Sequence, residues 1–253
     1  MCLALIAFGV HSRYRVVIAA NRDEYHARPA APAAWWDEGF LAGRDLKQGG
    51  TWLGIDRRGR YALVTNVREP ARHDATAPTR GALVPRYLVD HGPPSVAVAS
   101  LVAAGGRHNG FNLVGGNTSE LHWGSNRAAS VAALAPGVYG VSNHLLDTPW
   151  PKVERAKSVL ARWCRGAADD LAPIFALLHD TTPAPDEMLP ATGVPREWER
   201  LLSSPFIVSP GYGTRCTTIV TVSHDRDVRL VERSFDPSGN SVGEVDYRFA
   251  LGA

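Results

Sequence analysis

Cysteine and lysine are scarce in this sequence of 253 residues. The three cysteines, Cys2, Cys164 and Cys216, form no CxxC pair and no Cys/His cluster, so neither a disulfide framework nor a metal site is predicted. Cys164 and Cys216 fall in a predicted helix and a predicted strand, where we expect small buried side chains rather than reactive thiols. The 27 basic and 25 acidic residues nearly cancel, which argues against a nucleic-acid partner.

Long hydrophobic runs are also absent. The apolar stretch from Cys2 to Val10 has no basic residues ahead of it. It is far shorter than the roughly 20 residues that a membrane-spanning helix requires. Polar His11, Ser12 and Arg13 follow it directly. We therefore expect a buried strand in a cytoplasmic protein that has no integral membrane segment.

What is present is a pattern of strands, then helices, then strands. Alternating and apolar runs predict three hairpins, formed by 2–9 with 14–20, 51–55 with 61–67, and 111–114 with 120–123. Helices are predicted over 81–91, 95–104, 171–178 and 196–202, and from Thr148-Pro149 onward. Strands return over 216–222, 228–234 and 245–249, and a loop rich in Ala, Pro and Trp is predicted over 29–37. Without a repeat or a linker, this order indicates one α+β domain over 1–253.

Position 2 carries a cysteine, which becomes N-terminal if the initiator methionine is removed. The α-amine of Cys2 then has a reference pKa of roughly 7.7–8.0, against roughly 8.5 for a free thiol. Such an amine can accept the thiol proton and later return it to a leaving group, without a histidine. Cysteine also occurs at position 2 by chance, so the position alone does not establish a nucleophile.

Hairpin geometry brings polar residues close to the start of the first strand. A two-residue turn at 11–12 places Cys2 opposite Asn21, to within a residue or two. Asp23 can then hold the α-ammonium group, and Arg22 can favour the thiolate. A charged strand end that faces water is the alternative.

Three later residues are candidates for the same site. Asn66 ends a predicted strand and Asn143 follows a short apolar strand, and either amide can donate to a developing oxyanion. Period-two alternation places Arg215 and Thr217 on the strand face opposite Cys216, where an arginine can bind a carboxylate or assist a thiolate. Taken singly, each residue is also explained by turn or strand-end chemistry.

Several motifs occur in chain order: Met1-Cys2, ANRDEY at 20–25, GGTWLG at 49–54, LVTNVR at 63–68, SNHLLDTPWPK at 142–152 and YGTR at 212–215. In this order, and over nearly the whole chain, they resemble the NRDE family, also called the transport and Golgi organisation protein 2 family. The family in turn resembles the cysteine N-terminal-nucleophile hydrolases, the group of bile-salt hydrolase and penicillin V acylase. The resemblance implies a four-layer αββα sandwich with the nucleophile at one edge of the central sheets.

The same resemblance implies roles for individual residues. Residues 21–23 match an Asn-x-Asp element whose aspartate, here Asp23, orients the amine. The oxyanion asparagine of the hydrolases resembles Asn66, their later Thr-Asn element resembles Ser142-Asn143, and their C-terminal arginine resembles Arg215. One position departs from the pattern, because the hydrolases carry an arginine where this chain has Ala20. Arg22 is expected to point from the opposite strand face unless the chain bends.

Two functions remain open on this basis. The first is hydrolysis of a C–N amide bond, or of an ester, through an acyl-cysteine intermediate at Cys2, with no cofactor required. The second is non-catalytic binding or trafficking of haem or acyl-CoA, ligands with which the family is associated. Haem needs an axial ligand, and His144 is the histidine we would test first. In both cases a small molecule is the expected partner, bound by Asn21, Arg22, Trp52 and His144.

Overall fold

The structure is a computed structural model that describes residues 3–166 and 169–252. Within these residues the strands form two antiparallel sheets. The first sheet has the order β10 (Gly137–Val141), β1 (Leu3–Phe8), β2 (Tyr14–Tyr25), β11 (Tyr212–Ser223), β12 (Asp227–Phe235) and β13 (Ser241–Ala250). The second has the order β3 (Ala30–Trp35), β4 (Phe40–Asp45), β5 (Leu53–Asp56), β6 (Tyr61–Asn66), β7 (Phe111–Gly116), β8 (Leu121–Ser125) and β9 (Ala132–Ala133).

The α-helices described are α1 (Leu83–Val89), α2 (Pro94–Ala103), α3 (Pro151–Arg165), α4 (Ala172–Leu178) and α5 (Arg196–Leu201). Helices α1 and α2 pack on the second sheet, and α3 and α4 pack on the first. A third apolar cluster lies between the two sheets. The predicted four-layer αββα sandwich is therefore confirmed. No helix in residues 3–166 and 169–252 combines the length and apolar character needed to cross a membrane.

The predicted first hairpin is present, and every residue of β1 is buried. Its register differs by one residue from the prediction, because Leu3 pairs with Asn21. The turn is longer than two residues, since the paired strands end at Phe8 and begin again at Tyr14. The His11 ring accepts hydrogen bonds from the backbone N–H groups of residues 13 and 14, at 3.0 and 3.2 Å, which stabilises this wider turn.

Two boundaries were predicted wrongly. The predicted loop at 29–37 contains β3, an edge strand whose pairing with β4 is irregular between Ala31 and Ala34. Pro32 lies in that irregular stretch. Proline has no backbone N–H, but at the edge of a sheet its absence removes few hydrogen bonds between strands. The helix predicted from Thr148 begins only at Pro151, because Trp150 at its N-cap is still extended, with ψ at 142°.

Candidate functional site

Three cavities border residues 22–24, next to the point where β1 begins beside Asn21. The outer cleft, of about 780 Å³, is lined by Asp23, Asn66, Arg68 and Asn143, among others. The basic cleft, of about 350 Å³, is lined by Arg22, Lys47, Trp52, Asn66 and Arg80, among others. The inter-sheet cavity, of about 400 Å³, is lined by Arg22, Trp52, Arg215, Cys216 and Glu232, among others. The predicted nucleophile, Cys2, lies outside the described residues.

Asp23 is a buried carboxylate held in one orientation by its neighbours. It is 3% exposed, and its Oδ1 accepts a hydrogen bond of 2.6 Å from the hydroxyl of Thr214. The same hydroxyl oxygen accepts from the backbone N–H of Ile207 at 2.9 Å, which fixes it in turn. A buried carboxylate is stabilised by a nearby cationic group, so this position suits the orientation of an ammonium group in the outer cleft.

The two predicted oxyanion asparagines come together from distant parts of the chain. The Asn143 amide donates to the backbone oxygen of Asn66 at 3.1 Å. The Arg68 backbone N–H donates to the Asn143 backbone oxygen at 2.8 Å, so the end of β6 is joined to the loop after β10. The Asn66 side chain makes no hydrogen bond to the described residues and borders both clefts. Its amide is therefore available as a donor to a bound molecule.

A buried ion pair beneath the outer cleft was missed by the sequence analysis. Arg68 donates to Glu199 at 2.7 Å, and Glu199 also accepts from the backbone N–H and the hydroxyl of Thr192. The Arg68 guanidinium lies 5.1 Å from the ring centre of Trp150. Together these contacts hold three loops that wall the cleft. The sequence did carry a signal for Arg68, because this residue is the last of the LVTNVR motif.

Arg22 lies on the same face of β2 as Ala20, between the two sheets, and not on the opposite face as predicted. Residues two apart on a strand face the same way, so the prediction misapplied the period of the strand. The Arg22 guanidinium lies over the indole ring of Trp52, at 4.6 Å from the ring centre. Arg22 therefore shares a strand face with Ala20, the position at which the resemblance to the hydrolases leads one to expect an arginine.

Asn21 points the other way, towards α4. Its amide donates to the backbone oxygens of Leu178 at 2.7 Å and Pro205 at 2.9 Å, and its oxygen accepts from the Thr217 hydroxyl at 2.6 Å. The side chain is fully buried and lines none of the three cavities. Its contacts fasten β2 and β11 to the end of α4.

Arg215 occupies a β-bulge. The register of β11 against β2 shifts between Thr214 and Cys216, so Arg215 has no partner on β2. The predicted placement opposite Cys216 is wrong, because the bulge turns Arg215 into the inter-sheet cavity that Cys216 also lines. Its Nη1 donates to three backbone oxygens in residues 25–28. Burial and the positive charge of Arg22 lower the pKa of Arg215.

Glu232 is a second charged side chain that the sequence analysis missed. It is 1% exposed, and it accepts from the backbone N–H of Ala33 at 2.8 Å and the hydroxyl of Thr218 at 2.6 Å. Burial raises its pKa. Val228 and Leu230 face the space between the sheets, so alternation along β12 was the sequence signal that could have indicated an inward carboxylate at position 232.

The two described cysteines are buried, as predicted. Burial and the neighbouring Glu232 raise the pKa of the Cys216 thiol well above its usual value. Burial also raises the pKa of Cys164, to about 11. Since the thiolate is the reactive form, both side chains are poor nucleophiles at neutral pH.

His144 lies apart from the cavities. Its ring contacts the Thr148 hydroxyl at 2.8 Å and lies 5.9 Å from the Trp150 ring. His73, in contrast, lines both the outer and the basic cleft. Within residues 3–166 and 169–252, no group of three or more His, Cys, Asp or Glu side chains is arranged to hold a metal ion.

Comparison with known proteins gives the same fold and a family. The sequence matches the family profile described as Transport and Golgi organisation 2 over residues 1–237. It is 35% identical to the Transport and Golgi organization protein 2 homolog of Bos taurus, covering 92% of this chain and 93% of that protein. For the homolog of Homo sapiens the identity is 33%, and 99% of each chain is covered.

Among solved structures, a variant of conjugated bile acid hydrolase from Clostridium perfringens superposes with a TM-score of 0.52. The match covers 99% of this chain and 98% of that one, at 8% sequence identity, so it shows a shared fold. The chain thus has the fold of the N-terminal-nucleophile hydrolases and belongs to the Transport and Golgi organisation 2 family.

Proposed function

We propose that this protein is an N-terminal-cysteine hydrolase that cleaves a C–N amide bond, or an ester, of a small molecule. One observation carries the proposal: Asp23, Asn66 and Asn143, from three distant parts of the chain, line one cleft beside the start of β1. An acid that orients an amine and two amides that face an oxyanion are the groups that an N-terminal nucleophile needs.

The reaction follows from these groups. After removal of Met1, the α-amine of Cys2 takes the thiol proton, and the thiolate attacks the substrate carbonyl carbon. Asp23 holds the resulting ammonium, while the amides of Asn66 and Asn143 donate to the oxyanion. The ammonium returns its proton to the leaving nitrogen, the C–N bond breaks, and an acyl-cysteine forms. Water then attacks the acyl group by the same route and releases a carboxylic acid.

The two arginines near the site support this chemistry electrostatically. Arg22 and Arg215 lie close enough that the charge of Arg22 depresses the pKa of Arg215. A positive potential of this kind lowers the pKa of a neighbouring thiol and raises the thiolate fraction. It also favours a substrate with an anionic group. Trp52 supplies an apolar surface beside Arg22 in the basic cleft.

The proposal is tested by intact-mass spectrometry of the purified protein with a panel of N-acyl amides and esters. We expect an N-terminus without methionine, and a transient acyl adduct that is absent in Cys2→Ala. Cys164→Ala is the matched control and should retain the adduct, because that thiol is buried. Asn66→Ala should slow turnover by about 10²–10³-fold, the usual loss for one oxyanion donor. Turnover by Cys2→Ala equal to wild type on every substrate refutes the proposal.

A non-catalytic carrier of haem or acyl-CoA is the second candidate. Two features favour it: the outer cleft, at about 780 Å³, is in the size range of small-molecule sites, and His73 at its wall is a possible axial ligand for haem. Titrations with haemin and with palmitoyl-CoA distinguish the two functions. Saturable binding that Cys2→Ala leaves unchanged supports a carrier, and loss of the haemin Soret shift in His73→Ala identifies the ligand. Absence of binding to both ligands excludes it.

A further inference from the structure

The inter-sheet cavity is a second concave space, and it shares no lining residue with the outer cleft. It lies between β12 and β13 of the first sheet and β3 of the second, and the stacked pair of Arg22 and Trp52 forms its inner wall. The remaining wall is largely apolar and includes Pro32, Phe235 and Val245. A volume of about 400 Å³ with apolar walls and a few polar groups is typical of small-ligand sites.

Arg22 brings a buried positive charge to this cavity. Only 4% of the residue is exposed, and its Nη1 is buried without a hydrogen-bond partner among residues 3–166 and 169–252. Among the described residues no carboxylate forms an ion pair with it, and its guanidinium lies over the Trp52 ring. Buried polar groups are nearly always hydrogen-bonded, and buried charges are nearly always paired. The guanidinium is therefore placed to receive an anion from the cavity.

The other charged groups define which anion fits. Arg215 lines the same cavity and adds a second positive charge, while Glu232 and Glu244 add two negative charges. Glu244 is already balanced by its ion pair with Arg233, which does not line the cavity. Arg22, Arg215 and Glu232 therefore leave a single net positive charge, which a monoanion balances. A dianion would be repelled by Glu232, whose oxygens already accept from Ala33 and Thr218.

We propose that the inter-sheet cavity binds a small aliphatic monocarboxylate, with its carboxylate on Arg22 and Arg215 and its chain against Phe235 and Val245. A planar carboxylate matches the fork of a guanidinium group, and the apolar walls take up the hydrocarbon. The carboxylate is held by Arg22 and Arg215, so its binding does not depend on the Cys2 thiol.

Octanoate is the probe, and isothermal titration calorimetry is the measurement. Octanol and octyl phosphate serve as neutral and dianionic comparisons. Arg22→Met removes the charge at nearly constant volume, and Gly243→Phe fills the cavity. Gly243 lines the cavity, has an ordinary φ, and a Cβ added there meets no atom within 4 Å, so this variant is expected to fold. Arg57→Met is the matched control, because Arg57 also lies over a tryptophan, Trp35, at 4.1 Å but does not line the cavity.

We expect wild type to bind one molecule of octanoate per chain. Octanoate should bind at least about tenfold more weakly to Arg22→Met, which loses a charge-assisted hydrogen bond, and to Gly243→Phe, which loses the cavity volume. Arg57→Met and Cys2→Ala should bind like wild type, and octanol and octyl phosphate should bind more weakly than octanoate. The proposal is wrong if octanoate does not bind, if it binds equally to Arg22→Met and wild type, or if octyl phosphate is preferred. Failure of Cys2 to react leaves these expectations intact, so the two proposals fail separately.

Discussion

Gly43 in β4 is the position at which one methyl group should have the largest effect on the site. A Cβ added there would overlap the edge of the Trp52 indole ring, far inside the ~3.5–4.0 Å of an ordinary carbon contact. Trp52 is 6% exposed and belongs to the core between the sheets, so a displaced ring moves against the core or into the inter-sheet cavity and the basic cleft that it lines. Any displacement also moves the surface on which the Arg22 guanidinium lies.

The expected magnitude follows from the cost of overpacking. Forcing an extra methyl group into a filled core costs about 1–3 kcal/mol. For a chain of this size each kcal/mol changes the melting temperature by about 2–4 °C, so Gly43→Ala should melt roughly 2–12 °C lower than wild type. Gly243→Ala is the matched control in another strand, where the added Cβ meets nothing within 4 Å. It should stabilise by about 0.4–1 kcal/mol, because alanine restricts the unfolded chain.

Thermal unfolding followed by far-UV circular dichroism measures both variants at equal protein concentration. Tryptophan fluorescence reports in parallel on the environment of Trp52, and octanoate binding reports on the inter-sheet cavity. We expect Gly43→Ala to lose stability and to bind octanoate more weakly than Gly243→Ala does. If the two variants melt at the same temperature, or Gly43→Ala melts higher, the packing argument at Trp52 is refuted.

Two further predictions concern buried charges. Burial raises the pKa of the Glu232 carboxyl group above its usual 4.5, so the folded chain keeps the carboxyl proton to a higher pH than the unfolded chain does. The contribution of Glu232 to the free energy of unfolding therefore falls as the pH rises from the unfolded to the folded pKa. We measure the free energy of unfolding in urea between pH 4 and 8 for wild type and Glu232→Gln. The variant should become more stable relative to wild type as the pH rises. A difference between the two that does not change with pH would contradict this prediction. Arg68→Met leaves the carboxylate of Glu199 buried without its cation, and should cost about 3–5 kcal/mol. The double variant with Glu199→Gln should recover much of that loss, and equal stability of the single and double variants would disprove the pairing argument.

Much of the architecture could be predicted from the sequence, because it depends on local periodicity. The unbroken apolar run of β1 indicated a strand covered on both faces, and all of its residues are buried. In α3, the apolar residues Val153, Ala156, Leu160 and Trp163 recur at helical spacing and are all buried, so the same kind of periodicity marks the inner face of this helix. The family motifs supplied the order of the layers, which periodicity alone does not determine. They also selected Asp23, Asn66 and Asn143, and the structure places these three around one cleft.

The tertiary structure alone decided how the charged residues are arranged. One extra residue in β11 turns Arg215 into the inter-sheet cavity, and alternation could not predict it because a bulge interrupts the period of two. The inward Glu232 meets its donor Ala33 only because β3, predicted as a loop, packs against the first sheet. Asn21 is bound by backbone oxygens from residues 178 and 205, far along the chain. Residue types and local patterns determined which elements form and which side chains carry chemistry. Contacts between distant segments decided which of those side chains face the same cavity, because only packing brings their backbones together.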